Sequence, residues 1–263
     1  MNYQWNWASF NDLSPDGVHT YLQTLQIGAC WTIALAVSAY VIALLLGSII
    51  GVMRTVDSKV ARAIAATYVE LFRNIPLLVQ MFLWYFVLPE LLPKSLGSAI
   101  KQIQQPWGQF FPALLCIAFY STARIAETLR SGIRALRVGQ GHAALALGLT
   151  GFQAYRFVIL PQAFRVVVPP LTSEFMATIK SSSVAMTIGL LELTGAARSM
   201  QEFSFHIFEA FSAATIVYFA INSVVVYGLM LVERKMSASS SSSRGVPSAL
   251  PLSETEAIVG ETR

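Results

Sequence analysis

The sequence predicts an all-α, polytopic membrane fold with about five transmembrane helices, and three observations carry that expectation. Hydrophobic residues make up 55% of the chain and charged residues 12%, with a mean hydropathy of +0.58. One soluble core cannot hide that much apolar surface. Windows of about 20 mainly apolar residues recur, the length a helix needs to cross the hydrocarbon while bonding its backbone groups internally. Basic residues gather on alternate connections, as Lys and Arg do on the cytoplasmic side of a membrane.

In chain order, MNYQWNWASFNDLSPDG lacks the basic start and short apolar core of a cleaved signal. Residues 1–24 are expected outside, with Tyr3, Trp5 and Trp7 at the membrane interface. The transmembrane part covers 25–235. Its first span, Thr20 to Met53, is uncharged between its ends and reads as one long or tilted crossing. The second, NIPLLVQMFLWYFVLPELLP, follows Ala61 to Tyr68 and has Glu70 and Arg73 near its start. A third runs from Trp107 to Ala123, a fourth from about Val166 to Leu191, a fifth from Ala210 to Val232. Arg54, Lys59 and Arg62 follow span one; Arg130, Arg134, Arg137, Arg156 and Arg165 separate spans three and four; Arg234 and Lys235 follow span five. The other loops hold Lys94, Lys101 and Arg198. Five crossings then put the N-terminus outside and the C-terminus inside. The net charge of +4 reflects this topology and gives no reason to invoke nucleic acid. Cys30 and Cys116 fall inside spans as small packing residues, and residues 236–263, rich in Ser and Pro, read as a disordered cytoplasmic tail.

The connection from about 138 to 161 is longer and greasier than a plain loop. His142 to Leu147 favours helix, and Gly148 or Gly151 can end it because glycine tolerates the left-handed cap. Gln153 to Ile159 can start a second short helix, limited by Pro161. Two short helices joined at a glycine make a protruding docking knob. On the residues alone, an amphipathic helix lying on the lipid surface fits equally well.

Ala143-Ala144, three residues, Gly148, nine residues, then Val158-Ile159-Leu160-Pro161 resembles the coupling-loop motif of ATP-binding-cassette importer permeases, EAA, three, G, nine, I-x-L-P. His142 stands where Glu is usual, which removes a charge, and Val158 where Ile is usual. YVELFRNIPLLVQ at 68–80, IAETLRSGIRALRVGQ at 125–140 and IKSSSVAMTIG at 179–189 narrow the resemblance to polar amino-acid uptake permeases. With the N-terminal WNW, LWYFVLPELLP and the closing LVERK, the chain is similar to glutamate/aspartate permease subunits over roughly Asn2 to Lys235. The resemblance implies a bacterial inner-membrane protein whose coupling residues are His142, Ala143, Ala144, Gly148, Leu160 and Pro161. It implies two copies of a partner ATPase, a second permease subunit forming a heterodimer, and a periplasmic amino-acid-binding protein. ATP is used by the partner; this chain needs no cofactor of its own.

Ionisable groups inside spans are costly, about 2.5 to 3.5 kcal/mol at the bilayer centre on insertion scales, so each needs a partner or a wet path. Arg124, Glu127, Glu70, Arg73, Glu174 and Lys180 are the candidates. Arg124 with Glu127, and Glu70 with Arg73, are three apart and can neutralise each other on one helical face. Many polar amino-acid permeases have an aromatic residue where this chain has Arg124. That residue is therefore expected to face the path and bind a substrate side-chain carboxylate, the alternative being an arginine that snorkels to the interface. Lys180 and Ser181 open the run K-S-S-S, which could solvate a ligand or hold a broken helix; the plainer possibility is hydroxyls bonded back to helix carbonyls. Arg198, Glu202 and His206 fall at four-residue steps as a charged external stripe. No phosphate-binding GxxxxGK[ST] and no metal-ligand spacing are present, so the chain is not expected to hydrolyse ATP or hold a metal. A secondary transporter or channel using the intramembrane Arg and Glu residues remains the competing class; uptake without any ATPase would mark it.

Overall fold

Thirty-three residues without a charge, Tyr21–Met53, form the first long helix, α1. The computed structural model describes the backbone of residues 3–241, with the side chains of 135–142, 163–165 and 232–241 left aside. Thr20 starts α1 through a capping box: its hydroxyl accepts the Gln23 amide at 3.3 Å, and the Gln23 side chain accepts the Thr20 amide at 3.0 Å. The buried side of α1 is built from small residues, Gly28, Thr32, Ala36, Ala39, Ala43, Gly47 and Gly51. That seam lets its backbone lie close to α6 (Trp107–Ala146): a Cβ at Gly47 would stand 2.8 Å from Ile125 Cγ2, and one at Gly51 2.9 Å from the Ala126 carbonyl.

α2 (Lys59–Asn74) packs Ala65 and Val69 toward α6 and leaves Arg62, Glu70 and Arg73 exposed. It cannot run on, because a residue before proline is pushed out of the helical region, and Ile75 is extended ahead of Pro76. The chain bends by 100° into α3 (Leu77–Phe82). The Gln80 amide donates to the Phe72 and Ile75 carbonyls, both at 2.8 Å, and so closes the open end of α2. A π-turn, Leu83–Val87, leads into α4 (Leu88–Leu91), and α5 (Lys94–Lys101) follows.

After α6 come the short α7 (Gly151–Gln153), a π-turn Ala154–Ile159, and α8 (Leu160–Ser181). Each π-turn immediately precedes a Leu-Pro pair. Leu88 and Leu160 donate five residues back, to the Leu83 and Tyr155 carbonyls, which loosens the winding just where Pro89 and Pro161 supply no N–H. Pro161 therefore does not end a helix as expected; helix continues through it. α8 tightens into a 3-10 helix, Ser182–Ile188, stopped by Gly189 at φ 87°. α9 (Leu193–Ser204) ends at Phe205, which takes φ 60°, and α10 (Ile207–Ser241) closes the described chain. No strand occurs among the described residues beyond one isolated bridge, Leu13 to Thr20.

Among the described residues three helices are long and apolar enough to cross a membrane, Tyr21–Met53, Trp107–Arg134 and Ile207–Leu231, or four if the bent pair Lys59–Asn74 and Leu77–Leu91 is one span. The expected fourth span, from about Val166 to Leu191, is α8 as far as Ser181 and 3-10 helix from Ser182 to Ile188, and it carries Glu174 and Lys180. The third expected span does not stop at Ala123: α6 runs on through the basic region to Ala146. α6 is the centre of the bundle, with 67% of its apolar window buried, against 6% for α10, whose side faces outward. Cys116 is buried as expected, whereas Cys30 lies on the exposed side of α1; both are free thiols. The tail expected from 236 is helical to Ser241, and the remainder falls outside the described residues.

Candidate functional site

The end of the bundle that carries Arg54, Arg62, Arg130 and Arg134 also carries the 138–161 segment. Here α6 ends in a Schellman cap. The Leu149 amide donates to the Ala144 carbonyl at 3.2 Å and the Gly148 amide to Leu145 at 3.0 Å, with Gly148 at φ 83°. Gly148, not Gly151, is thus the terminating residue. Two residues later Thr150 caps the next helix: its hydroxyl accepts the Gln153 amide, and its own amide donates to the Gln153 side chain at 2.9 Å. Helix, left-handed glycine and capped helix make a rigid elbow. Ala144 and Ala154 are buried beneath it, while Ala143 and Pro161 are exposed. Leu147, Phe152 and Phe157 stand 84%, 72% and 64% exposed, an apolar tip that is not folded back on its own bundle. Ile159 anchors the far side among Leu129, Ile133 and Val167, with Leu160 half-buried next to it. His142 lies within α6, and its side chain is outside the described set.

The ionisable residues pair across helices. Arg124 does not meet Glu127: its guanidinium reaches α8 and grips Glu174 with two hydrogen bonds, Nε to Oε2 at 2.6 Å and Nη2 to Oε1 at 3.3 Å. Such a fork is the usual match of arginine to carboxylate. Glu127, one turn nearer the basic end, accepts from Arg54 at the end of α1 and from Arg130 on its own helix. A three-residue step made Arg124 and Glu127 neighbours, but both side chains are long enough to find partners elsewhere. Glu70 and Arg73 are likewise not joined; both are exposed on α2, and Arg73 adds to the positive field around Glu127. Lys180 is exposed, with no ion pair among the described residues. Of the serines after it, Ser182 and Ser183 bond back to the Ile179 and Lys180 carbonyls, both at 2.7 Å, as the plainer reading had it. They hold the tightened 3-10 winding, and Ser181 is half-buried beside them.

At the opposite end the sequence reading missed Glu192. It is fully buried and caps α9, accepting the Gly195 amide at 2.9 Å and the Thr194 amide at 3.0 Å. Tyr218 of α10 donates to it at 2.8 Å and Thr32 of α1 at 3.2 Å. A lone acid in the middle of VAMTIGLLELTGAA, six residues short of Arg198, was the available signal. Glu209, also fully buried, accepts the Asn6 amide at 2.7 Å and the Tyr3 hydroxyl, which pins the N-terminal segment over α10. The carboxylate raises the Tyr3 phenol to about 12 by accepting its hydrogen bond. Trp5 stacks on Trp7 at 5.4 Å, both half exposed. The charged stripe is shorter than expected: Arg198 pairs with Glu202 at 2.7 Å, but the break at Phe205 moves His206 onto the start of α10.

The family of binding-protein-dependent transport system inner membrane components matches residues 43–238. The chain is similar to the glutamate/aspartate import permease protein GltJ of Escherichia coli (strain K12), at 45% identity over 237 residues, 90% of this chain and 96% of that protein. It is 33% identical over 205 residues to the probable amino-acid ABC transporter permease protein PatM of Vibrio harveyi, 78% of this chain and 88% of that one. A chain in the crystal structure of an amino acid ABC transporter with histidines superposes with a TM-score of 0.70 at 32% identity, covering 82% of this chain and 95% of its own.

Proposed function

This chain belongs to the family of binding-protein-dependent transport system inner membrane components, and from that membership we propose that it is the membrane subunit of an ATP-driven importer for glutamate and aspartate. Its part is to form the path and be moved; the chemistry of ATP belongs to a separate ATPase, two copies of which grip the assembly. A second permease subunit covers the outward side of α10, where Ile216, Phe219, Val224 and Tyr227 stand exposed. A periplasmic amino-acid-binding protein delivers substrate to the end where the N-terminal segment and α9 lie. The basic end faces the cytoplasm, in keeping with the side Lys and Arg prefer.

The observation that carries the reading is the capped elbow at 144–154. Its glycine cap and capping box fix a shape, and its apolar tip is left in the open beside a cluster of arginines. A rigid, greasy projection on the basic side suits a groove on another protein, and turning it turns α6 and α8 together, since both run directly into it. His142, Ala143, Ala144, Gly148, Leu160 and Pro161 are the coupling residues in this reading. Arg124, Glu127, Glu70, Arg73, Lys180 and Ser181 border the path.

Support for an acidic substrate comes from the 45% identity to a glutamate/aspartate permease and from Arg124. Its side chain is 39% exposed and its guanidinium already holds a carboxylate, that of Glu174. A substrate side-chain carboxylate offers the same two oxygens. Reconstitution in liposomes with the ATPase and binding protein should give ATP-dependent uptake of glutamate over glutamine and arginine. Arg124→Ala should abolish that uptake while the complex still assembles. Normal glutamate uptake by Arg124→Ala would end the role given to Arg124, and uptake persisting without the ATPase would favour a secondary transporter.

A further inference from the structure

We infer that the hydrogen bond between the Tyr155 and Thr55 hydroxyls is the latch that carries movement of the elbow to α1, making Tyr155 a positioning residue for coupling. This rests on the importer reading above.

The elbow faces the α1–α2 connection, and Val52 and Tyr155 pack on the same apolar cluster between them. Between them lies a cavity of about 470 Å³, with Val52, Thr55 and Val56 on one wall and Leu145, Phe152 and Ala154 on the other. Across this gap the two hydroxyls meet at 2.8 Å. Thr55 is 3% exposed, and both its amide and its hydroxyl donate to the Val52 carbonyl at 2.8 Å. A pull on Thr55 is therefore a pull on the last turn of α1. Arg54, next in the chain, is tied to Glu127 on α6. The close seam at Gly47 and Gly51 then passes the movement up the whole α1–α6 pair, because neither backbone has room to climb over the other.

Tyr155 is also suited by where it sits. It belongs to the π-turn, and its carbonyl takes the wide bond from Leu160. That is the most loosely wound part of the segment, and interruptions of this kind are common at functional positions. Its ring packs against the Ile159 cluster, so the ring holds position while the hydroxyl makes the link. A hydroxyl pair at the edge of a cavity can part and re-form without leaving an apolar void, unlike a packed side chain.

The test uses the complete complex in liposomes, reading ATP hydrolysis and glutamate uptake together. Tyr155→Phe keeps the ring and removes the link. ATP turnover should stay within about twofold of wild type while uptake per ATP falls about threefold or more, the range by which residues between two sites shift their coupling. Thr55→Val should give the same loss from the other side, and the double variant should be no worse than either single one, because both remove the same bond. Thr55→Ser, which keeps the hydroxyl, should restore coupling. Wild-type uptake per ATP in Tyr155→Phe, or additive losses in the double variant, overturns the latch. A wild-type complex with no ATP-driven uptake would bring down the importer reading itself and the latch with it.

Discussion

Glu127 and Glu192 are both carboxylates withdrawn among helices, yet they are held in opposite ways. Glu127, at the basic end, is gripped by two cations, Arg54 and Arg130, and its side chain is 20% exposed. Glu192, at the far end, is sealed from solvent and meets four neutral donors, two amides and two hydroxyls, with no cation among its hydrogen-bond partners. An ion pair with water at its edge can open and exchange partners at modest cost, because water takes over what the partner gave up. A sealed cage cannot, since each donor released inside it has nowhere to go. The two ends of one bundle are thus built as a joint and as a fixture. The joint lies at the basic end with the elbow, where the proposed coupling movement enters; the fixture ties α1, α9 and α10 at the far end.

The hardest test of that contrast is Glu192→Ala. It strips the cap from α9 and leaves the Thr194 and Gly195 amides without an acceptor, each worth about 1 to 3 kcal/mol when buried, while the Tyr218 hydroxyl keeps the Thr194 hydroxyl and the Thr32 hydroxyl keeps the Leu193 amide. Loss of several kcal/mol is expected, seen as aggregation on size exclusion or a large fall in Tm of the purified protein. Glu192→Gln should fall between, since the amide oxygen still accepts while its NH2 faces other donors. An alanine variant as stable as wild type would show that the cage fixes nothing.

Glu127→Gln should have a smaller effect on stability, about 1 kcal/mol, because the arginines it releases reach water. Its larger effect should be on transport, since the variant uncouples the end of α1 from α6. Added salt should weaken the wild type toward the variant and leave the Glu192 end untouched. If Glu127→Gln destabilises more than Glu192→Ala, the assignment of joint and fixture is reversed.

How much of this was readable depends on range. α1, the first half of α6 and α10 stood out because long uncharged runs have one physical meaning in a chain this apolar. The elbow was readable because Gly148 and Thr150 act on their own neighbours, through a left-handed cap and a local capping box. Arg124 was singled out as a costly ion with Glu127 as its local partner, but Glu174 lies 50 residues away and no local spacing names it. Glu192 failed for the same reason: two of its donors, Thr32 and Tyr218, come from helices distant in sequence. The small-residue seam of α1 repeats at near four-residue steps, but the reading of one long apolar crossing did not single it out.

The same distinction between donor cage and ion pair extends, at its weakest, to the turn before α1. Asp16 is exposed, yet its carboxyl is lowered from the usual 3.8 to about 2, first by the backbone amides of His19 and Val18 and then by the His19 ring. The Oδ1 atom accepts those amides at 3.0 and 2.9 Å, and Oδ2 lies 2.7 Å from His19 Nδ1. A carboxyl depressed on folding adds stability that is fully present above its unfolded value and is lost as the pH falls through its folded one. For Asp16 that window runs from about 4 down to about 2, and the effect is small because water surrounds the turn. A carboxyl-carbon titration of labelled protein should therefore find its midpoint near 2. Raising salt should leave the midpoint nearly in place, because short-range amide bonds dominate the shift and are poorly screened. A midpoint near 4, or one that climbs steeply with salt, would mean that the turn is held by charge, like the joint around Glu127.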